Sequence, residues 1–258
     1  MKSLDLEEVS VFVSENIVQF HETKLKRIAE IKLKGILRKK NPYLFKAKNM
    51  QRAQDLITAI LDAYLSSSEE KIFGDFLEAL AIFISGKTCG GEKSASTGID
   101  FEFTDKNTRY LVSVKSGPNW GNNQQQRKQQ EDFEKAARIL KQSRHISNVQ
   151  AVLGICYGKT KPGYLRGYWK LVGQSFWYFI SGNRNLYTDI IEPLGYRSAE
   201  NNEEYRKKKD ALTNLLTGQF MQDFCVKDGQ IDWVKLVKFN SGNIDDGSEF
   251  RWELLNIG

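Results

Sequence analysis

Asp100 and Lys115 are the two residues of this chain best placed to do chemistry together, and Glu78 is the third. Asp100 lies in GIDFEF (98–103) and Lys115 in YLVSVKS (110–116), two short apolar runs joined by a turn at Asp105 to Thr108. Glu78 interrupts KIFGDFLEALAIFIS (71–85), where a carboxylate among apolar residues is costly unless paired, protonated or bound to a metal. Two carboxylates from a helix and a strand are hard oxygen donors of the kind Mg²⁺ prefers. A lysine on the neighbouring strand can orient or deprotonate a water, or stabilise developing negative charge, which together is the equipment of metal-assisted phosphodiester hydrolysis. The plainer alternative is an edge strand whose solvent face carries Asp100 and Glu102, with Lys115 as their cross-strand ion-pair partner.

These residues need elements to hold them. Alternation places Ile99, Phe101 and Phe103 on one side of the first strand and Asp100 and Glu102 on the other. On the second strand Leu111, Ser113 and Lys115 share a face opposite Val112 and Val114. Helical spacing predicts an N-terminal helix over 4–34, broken once, and a helix over 51–65. Ser66 to Glu70 reads as a cap opening a third, buried helix that Gly86 closes. CGGEKSAST (89–97) reads as loop, GPNWGNNQQQR (117–127) as loop or helix start, residues 128–143 as an amphipathic helix and VQAVLGICYG (149–158) as a buried strand. From residue 69 the order is helix, strand, strand, helix, strand, an α/β core with a mixed central sheet flanked by helices. Beyond it come a loop or strand, a helix near 174–181, another over 200–224 and a short C-terminal helix. With no repeat or linker, we expect one domain over 1–258: a helical N-terminal elaboration (1–65), a catalytic core (69–160) and an aromatic-rich, helical C-terminal part (161–258).

Composition narrows the functional classes. A net charge of +6 permits a polyanionic partner without requiring one. Three cysteines without CxxC spacing argue against a disulfide framework and a structural zinc site. The only histidines, His21 and His145, are too isolated to suggest a His-based metal site or triad. No basic, apolar leader and no run of 18 or more apolar residues occurs, so the expectation is a soluble, cytoplasmic protein with no membrane partner.

The string YLVSVKSGPNWGNNQQQ, with GIDFEF before it and CYGK after it, resembles type II restriction endonucleases of the PD-(D/E)xK superfamily, PmeII-like group. The similarity runs through NPYLFKAKN, SSSEEKIFGDFLEALAIFI and GQSFWYFISG, most of the chain. It implies a restriction-endonuclease-like fold and Mg²⁺-dependent, sequence-specific hydrolysis of double-stranded DNA. Asp100 becomes the metal-binding acid, Lys115 the terminal lysine and Glu78 the helix glutamate that often completes such sites. Ile99 replaces the proline of the motif, and Ser113 stands where the second acid belongs. That missing ligand is to be supplied by Glu78 first, then Glu102 or Glu131, with Glu134 a further candidate. The side chains at 100 and 102 lie roughly 6.5 Å apart along a strand.

DNA contact is expected from Asn119, Trp120, Asn122, Asn123, Gln124, Gln125, Gln126 and Arg127, since Asn and Gln pair bidentately with adenine and Arg with guanine. The same amides could instead cap a helix start. Lys159, Lys161 and Arg166 are candidates for phosphate contact, and Lys207 to Lys209 for a solvated helix face. Basic residues interleaved with aromatics in LKGILRKKNPYLFKAKN (33–49) could grip a phosphate backbone or form a solvated loop anchored by its rings. Cutting both strands of a palindrome implies a homodimer, with 164–187 or the N-terminal helices as candidate interfaces. A structure-specific repair or recombination nuclease and a non-catalytic DNA-binding module are the competing readings.

Overall fold

The computed structural model describes residues 1–143 and 148–241; His145 and residues 242–258 lie outside the described part. The chain runs α1 (Leu6–Ala29), α2 (Leu33–Leu37), α3 (Pro42–Ala47) and α4 (Ala53–Cys89), then β1 (Glu92–Lys93), β2 (Phe101–Asp105) and β3 (Thr108–Lys115). It continues through α5 (Asn123–Ser143), β4 (Val149–Ile155), β5 (Gly163–Leu165) and β6 (Tyr168–Val172). The helices α6 (Gln174–Ser181), α7 (Leu186–Asp189), α8 (Ile191–Leu194), α9 (Ser198–Phe224) and α10 (Trp233–Ser241) follow. The chain sorts into two compact units, Met1–His21 with Glu70–Ser198, and Glu22–Glu69 with the described part of Ala199–Gly258.

The first unit holds a six-stranded mixed sheet in the order β1-β2-β3-β4-β6-β5. The β1–β2, β2–β3 and β5–β6 pairs are antiparallel, and β3–β4 and β4–β6 parallel. A two-residue turn, with Lys106 at φ 52, joins β2 to β3 and sets their register, so that Phe101 faces Val112. Strand alternation then divides the core. Phe101, Phe103, Val112 and Val114 pack with Leu77, Leu80 and Ile84 of α4 and with Phe176 and Ile180 of α6. Leu111 and Leu153 pack with Phe133, Ala136 and Leu140 of α5. A methyl group at Gly154 of β4 would stand 2.1 Å from the Phe176 ring, so this strand position must lack a side chain for α6 to seat.

The second unit is helical and has its own core, in which Leu56, Ile57, Ile60 and Leu61 of α4 meet Leu216, Phe220 and Phe224 of α9 and Leu236 of α10. Lys24 lies 3.4 Å from Glu69, which also accepts the Tyr205 hydroxyl. Lys207 and Lys208 pair with Glu203 and Glu204 one turn away and Lys209 with Asp62, so this run is a paired helix face.

Several local expectations are corrected. The helices expected over 51–65 and 71–85 are one continuous α4, and the Ser-rich run stays helical: Ser67 Oγ, on the exposed side, donates to the Ala63 carbonyl one turn back at 3.0 Å instead of capping a new helix. Gly86 lies inside α4, and the helix stops before Gly90, which adopts φ 69. Asn41 caps α3, accepting from the Tyr43 and Leu44 amides, and Pro42 takes the first helical position. A short edge strand, β1, forms within the expected 89–97 loop. Ile99 joins the Leu111 cluster rather than that of Phe101 and Phe103. The β2 ladder begins at Phe101, and Ile99 is still in the turn made by Gly98 at φ 77.

Candidate active site

Register brings Asp100 and Ser113 side by side. Asp100 N donates to the Val112 carbonyl at 2.9 Å, and Asp100 Oδ2 accepts the Val114 amide at 2.5 Å. Ser113 is wholly buried. Its Oγ lies 3.2 Å from Asp100 Oδ2 and 3.0 Å from Gln129 Oε1, and it accepts from Lys115 Nζ at 3.1 Å. A hydroxyl has one proton to give, so it serves one of the two acceptors at a time. The result is a continuous polar chain, Lys115 to Ser113 to Asp100, at the C-terminal end of β3. The ammonium keeps further donors for a water or a phosphate oxygen, and lies 5.7 Å from the Trp120 ring centroid.

Glu78 faces this chain from α4. Burial holds its carboxyl above the usual range, the Asp100 charge adds to the rise, and Lys115 and Lys93 partly offset it. One turn earlier, Gly74 would place a methyl 3.5 Å from Ser116 Cβ, so the Gly74–Glu78 stripe of α4 runs beside the end of β3. Two carboxylates that each disfavour the other's charge would gain from a bound divalent ion.

Gln129 is the site residue that sequence reasoning missed. It is buried on α5, donates from Nε2 to the Gly98 carbonyl at 2.8 Å and holds Ser113 with its Oε1. It therefore ties the turn before Asp100 to the strand that carries Lys115. A signal existed: 129, 133, 136 and 140 form one helical stripe with Phe133, Ala136 and Leu140, so an amide there must turn inward. Gly98 has no room for a side chain, since a methyl would stand 2.5 Å from Asp132.

Other candidates lie apart from this cluster. Glu102 shares a strand face with Asp100, but its carboxylate is held by Arg109 Nε at 3.1 Å. Arg109 also reaches Thr104 and Glu92, and Ser94 Oγ approaches Glu102 at 3.4 Å, closing a network across β1, β2 and β3. Glu131 is exposed and about 200° around α5 from Gln129, given 3.6 residues per turn. Glu134 accepts from Gln130 on the surface.

The amide run after β3 divides in two. Asn122 and Gln125 form a reciprocal cap: the Gln125 amide donates to Asn122 Oδ1 at 3.0 Å, and the Asn122 amide donates to Gln125 Oε1 at 2.9 Å. Asn119, Asn123, Gln124, Arg127 and Lys159 are exposed, whereas Trp120 packs against the α5 side of the core. Gln126 bonds the Gly121 carbonyl and receives Arg166 at 3.0 Å, tying the β5–β6 turn to the start of α5.

Among the described residues no group of three or more His, Cys, Asp or Glu gathers to hold a metal. The donor set at the site is the carboxylates of Asp100 and Glu78. That set suits Mg²⁺, which keeps several waters and is held by one or two carboxylates with substrate phosphate completing its shell. No helix among the described residues is long and apolar enough to cross a membrane.

Comparison with known proteins places this geometry in context. The family model for type II restriction endonuclease EcoO109I matches residues 7–202, about three quarters of the chain. A search of curated proteins returns no match.

Proposed function

The chain belongs to the family of type II restriction endonuclease EcoO109I, DNA-cleaving restriction enzymes, and from that premise we propose that it hydrolyses double-stranded DNA at a specific sequence with Mg²⁺. The observation that carries the proposal is the polar chain from Lys115 through Ser113 to Asp100, faced by the half-buried carboxyl of Glu78. Such an arrangement of one lysine and acids from a strand and a helix is the chemistry of a PD-(D/E)xK site, here of the PmeII-like kind with Ser113 in place of an acid.

In this reading Asp100 and Glu78 hold Mg²⁺, which when bound supplies a Lewis acid and a water of lowered pKa. Lys115 directs its free N–H groups at the attacking water and the scissile phosphate. Ser113 passes the position of Asp100 to Lys115, and Gln129 fixes both. The exposed Asn119, Asn123, Gln124, Arg127 and Lys159 reach for bases and phosphates, while Asn122 and Gln125 hold the helix from which they project. Residues 69–160 carry the catalytic core of a single nuclease domain that acts in the cytoplasm. Cutting both strands of a palindrome requires a two-fold homodimer.

Incubation with unmodified phage DNA and Mg²⁺ tests the reading. Discrete fragments are expected, and Asp100→Ala or Lys115→Ala should reduce their rate by about 10²-fold or more. Intact DNA, or cutting that persists in the variants, would refute it. Ser113, standing where the second acid of the motif belongs, favours one second reading, a DNA-binding module without activity. Metal-independent binding with no cleavage at any Mg²⁺ concentration would select that reading.

A further inference from the structure

Between residues 31 and 54 the chain carries eight Lys and Arg residues and no Asp or Glu. The helical unit arranges this segment with a clear division. Leu33, Ile36, Leu37 and Phe45 are buried in its core, and the cations from Lys32 to Arg52 are exposed, with Lys40 half-exposed. Of these eight, Arg52 alone has a carboxylate within ion-pair reach among the described residues, Asp55 at 3.9 Å. The basic run Lys207 to Lys209 of the same unit, by contrast, is matched by Glu203, Glu204 and Asp62.

Rings hold several of these side chains. Arg38 lies over Phe239 at 5.3 Å, Lys39 over Tyr64 at 5.8 Å and Lys46 over Trp233 at 5.3 Å. Contact with a ring orients a cation without neutralising it. Between α2 and α3, a concavity of about 350 Å³ is lined by Arg38, Lys39, Lys40, Asn41, Tyr43 and Asn240. Asn240 Nδ2 donates to the Leu37 and Lys40 carbonyls at 2.7 and 3.1 Å, which engages two backbone acceptors at and just after the end of α2.

We propose that the α2–α3 segment of the helical unit is a second DNA-binding surface, which takes backbone phosphates of duplex DNA at Arg38, Lys39 and Lys40 without reading sequence. The choice of DNA rests on the restriction-enzyme reading; the anion-binding chemistry stands on the geometry alone. Binding of this kind neutralises phosphates and releases counterions, so it raises affinity for any duplex and makes it salt-dependent.

The full chain is tested with a 30-base-pair duplex of arbitrary sequence, in chelator so that nothing is cut. The triple variant Arg38→Gln, Lys39→Gln, Lys40→Gln should weaken binding by about tenfold or more at low salt. It should also lower the slope of log affinity against log salt by about 2 to 3, near 0.9 for each phosphate no longer neutralised. The unaltered protein supplies an independent readout: DNA should protect Lys39 and Lys40 from acetylation. Unchanged slope and unprotected lysines would overturn the proposal, as would loss of binding to phosphatidylglycerol vesicles with DNA binding intact. Specific cutting with an unchanged salt slope would sink this surface and spare the nuclease reading. A reduced slope in a chain that cuts nothing would do the reverse.

Discussion

Glu78 shows how one residue can serve activity against stability. Its carboxyl titrates above its ordinary value because burial and Asp100 disfavour the charge. The folded state is therefore favoured by the protonated form: that contribution is complete below the unfolded pKa and is lost as pH rises through the folded one. Glu78→Gln should raise the melting temperature at pH 8 relative to the parent, with no gain at pH 4, while cutting falls by about 10²-fold. Melting curves at both pH values check this, and a lower midpoint at pH 8 would contradict it. Gln129→Ala should weaken the fold by about 1–3 kcal/mol, because it strips the Gly98 carbonyl of a buried partner. Urea titration measures that cost, and a plasmid digest should show slower cutting although Asp100 and Lys115 remain. At this scale the sequence was most readable where a residue violated its surroundings. Glu78 in an apolar helix and Asp100 on an apolar strand stood out, whereas Gln129 was hidden in the polar run QQQRKQQ and declares itself only through the stripe it shares with Phe133.

At the level of elements, the β2–β3 hairpin carries two polar systems on one face and keeps them separate. Toward Lys115 lies Asp100 with Ser113; toward the turn lies Glu102 with Arg109. The Arg109 and Glu102 side chains are only 10% and 12% exposed, so removing one leaves a nearly buried charge without its partner. Arg109→Ala should cost about 3 kcal/mol or more and lower the melting temperature by roughly 6–12 °C. Differential scanning calorimetry tests this, and a shift under about 1 °C would show the network to be dispensable. Strand alternation and the hairpin turn were legible because they are local. The union of two expected helices into α4 was not, since a serine such as Ser67 that bonds back to a carbonyl looks the same in sequence as one that caps. The β1 strand was equally hidden, because a two-residue edge exists only through its neighbour β2.

Across the whole molecule, no set of His, Cys, Asp or Glu among the described residues could serve as a structural metal clasp. Chelation by EDTA should therefore abolish cutting and leave both the far-ultraviolet spectrum and the melting temperature within about 1 °C of the untreated protein. A large drop in melting temperature would mean that a metal supports the fold. The mixed sheet could be anticipated from the order of its strands, but the partition into two units could not, because contacts between segments far apart in sequence define it. That partition bears on how the chain is made. The sheet-bearing unit is complete once residue 198 has been synthesised, whereas the core of the helical unit needs α9 and α10. The ribosome adds about 5–20 residues per second, so the apolar face of Leu56, Ile57, Ile60 and Leu61 waits on the order of ten seconds for its partners. Low growth temperatures or added chaperone during expression should protect that interval, which makes yield a matter of timing on the ribosome as much as of final stability.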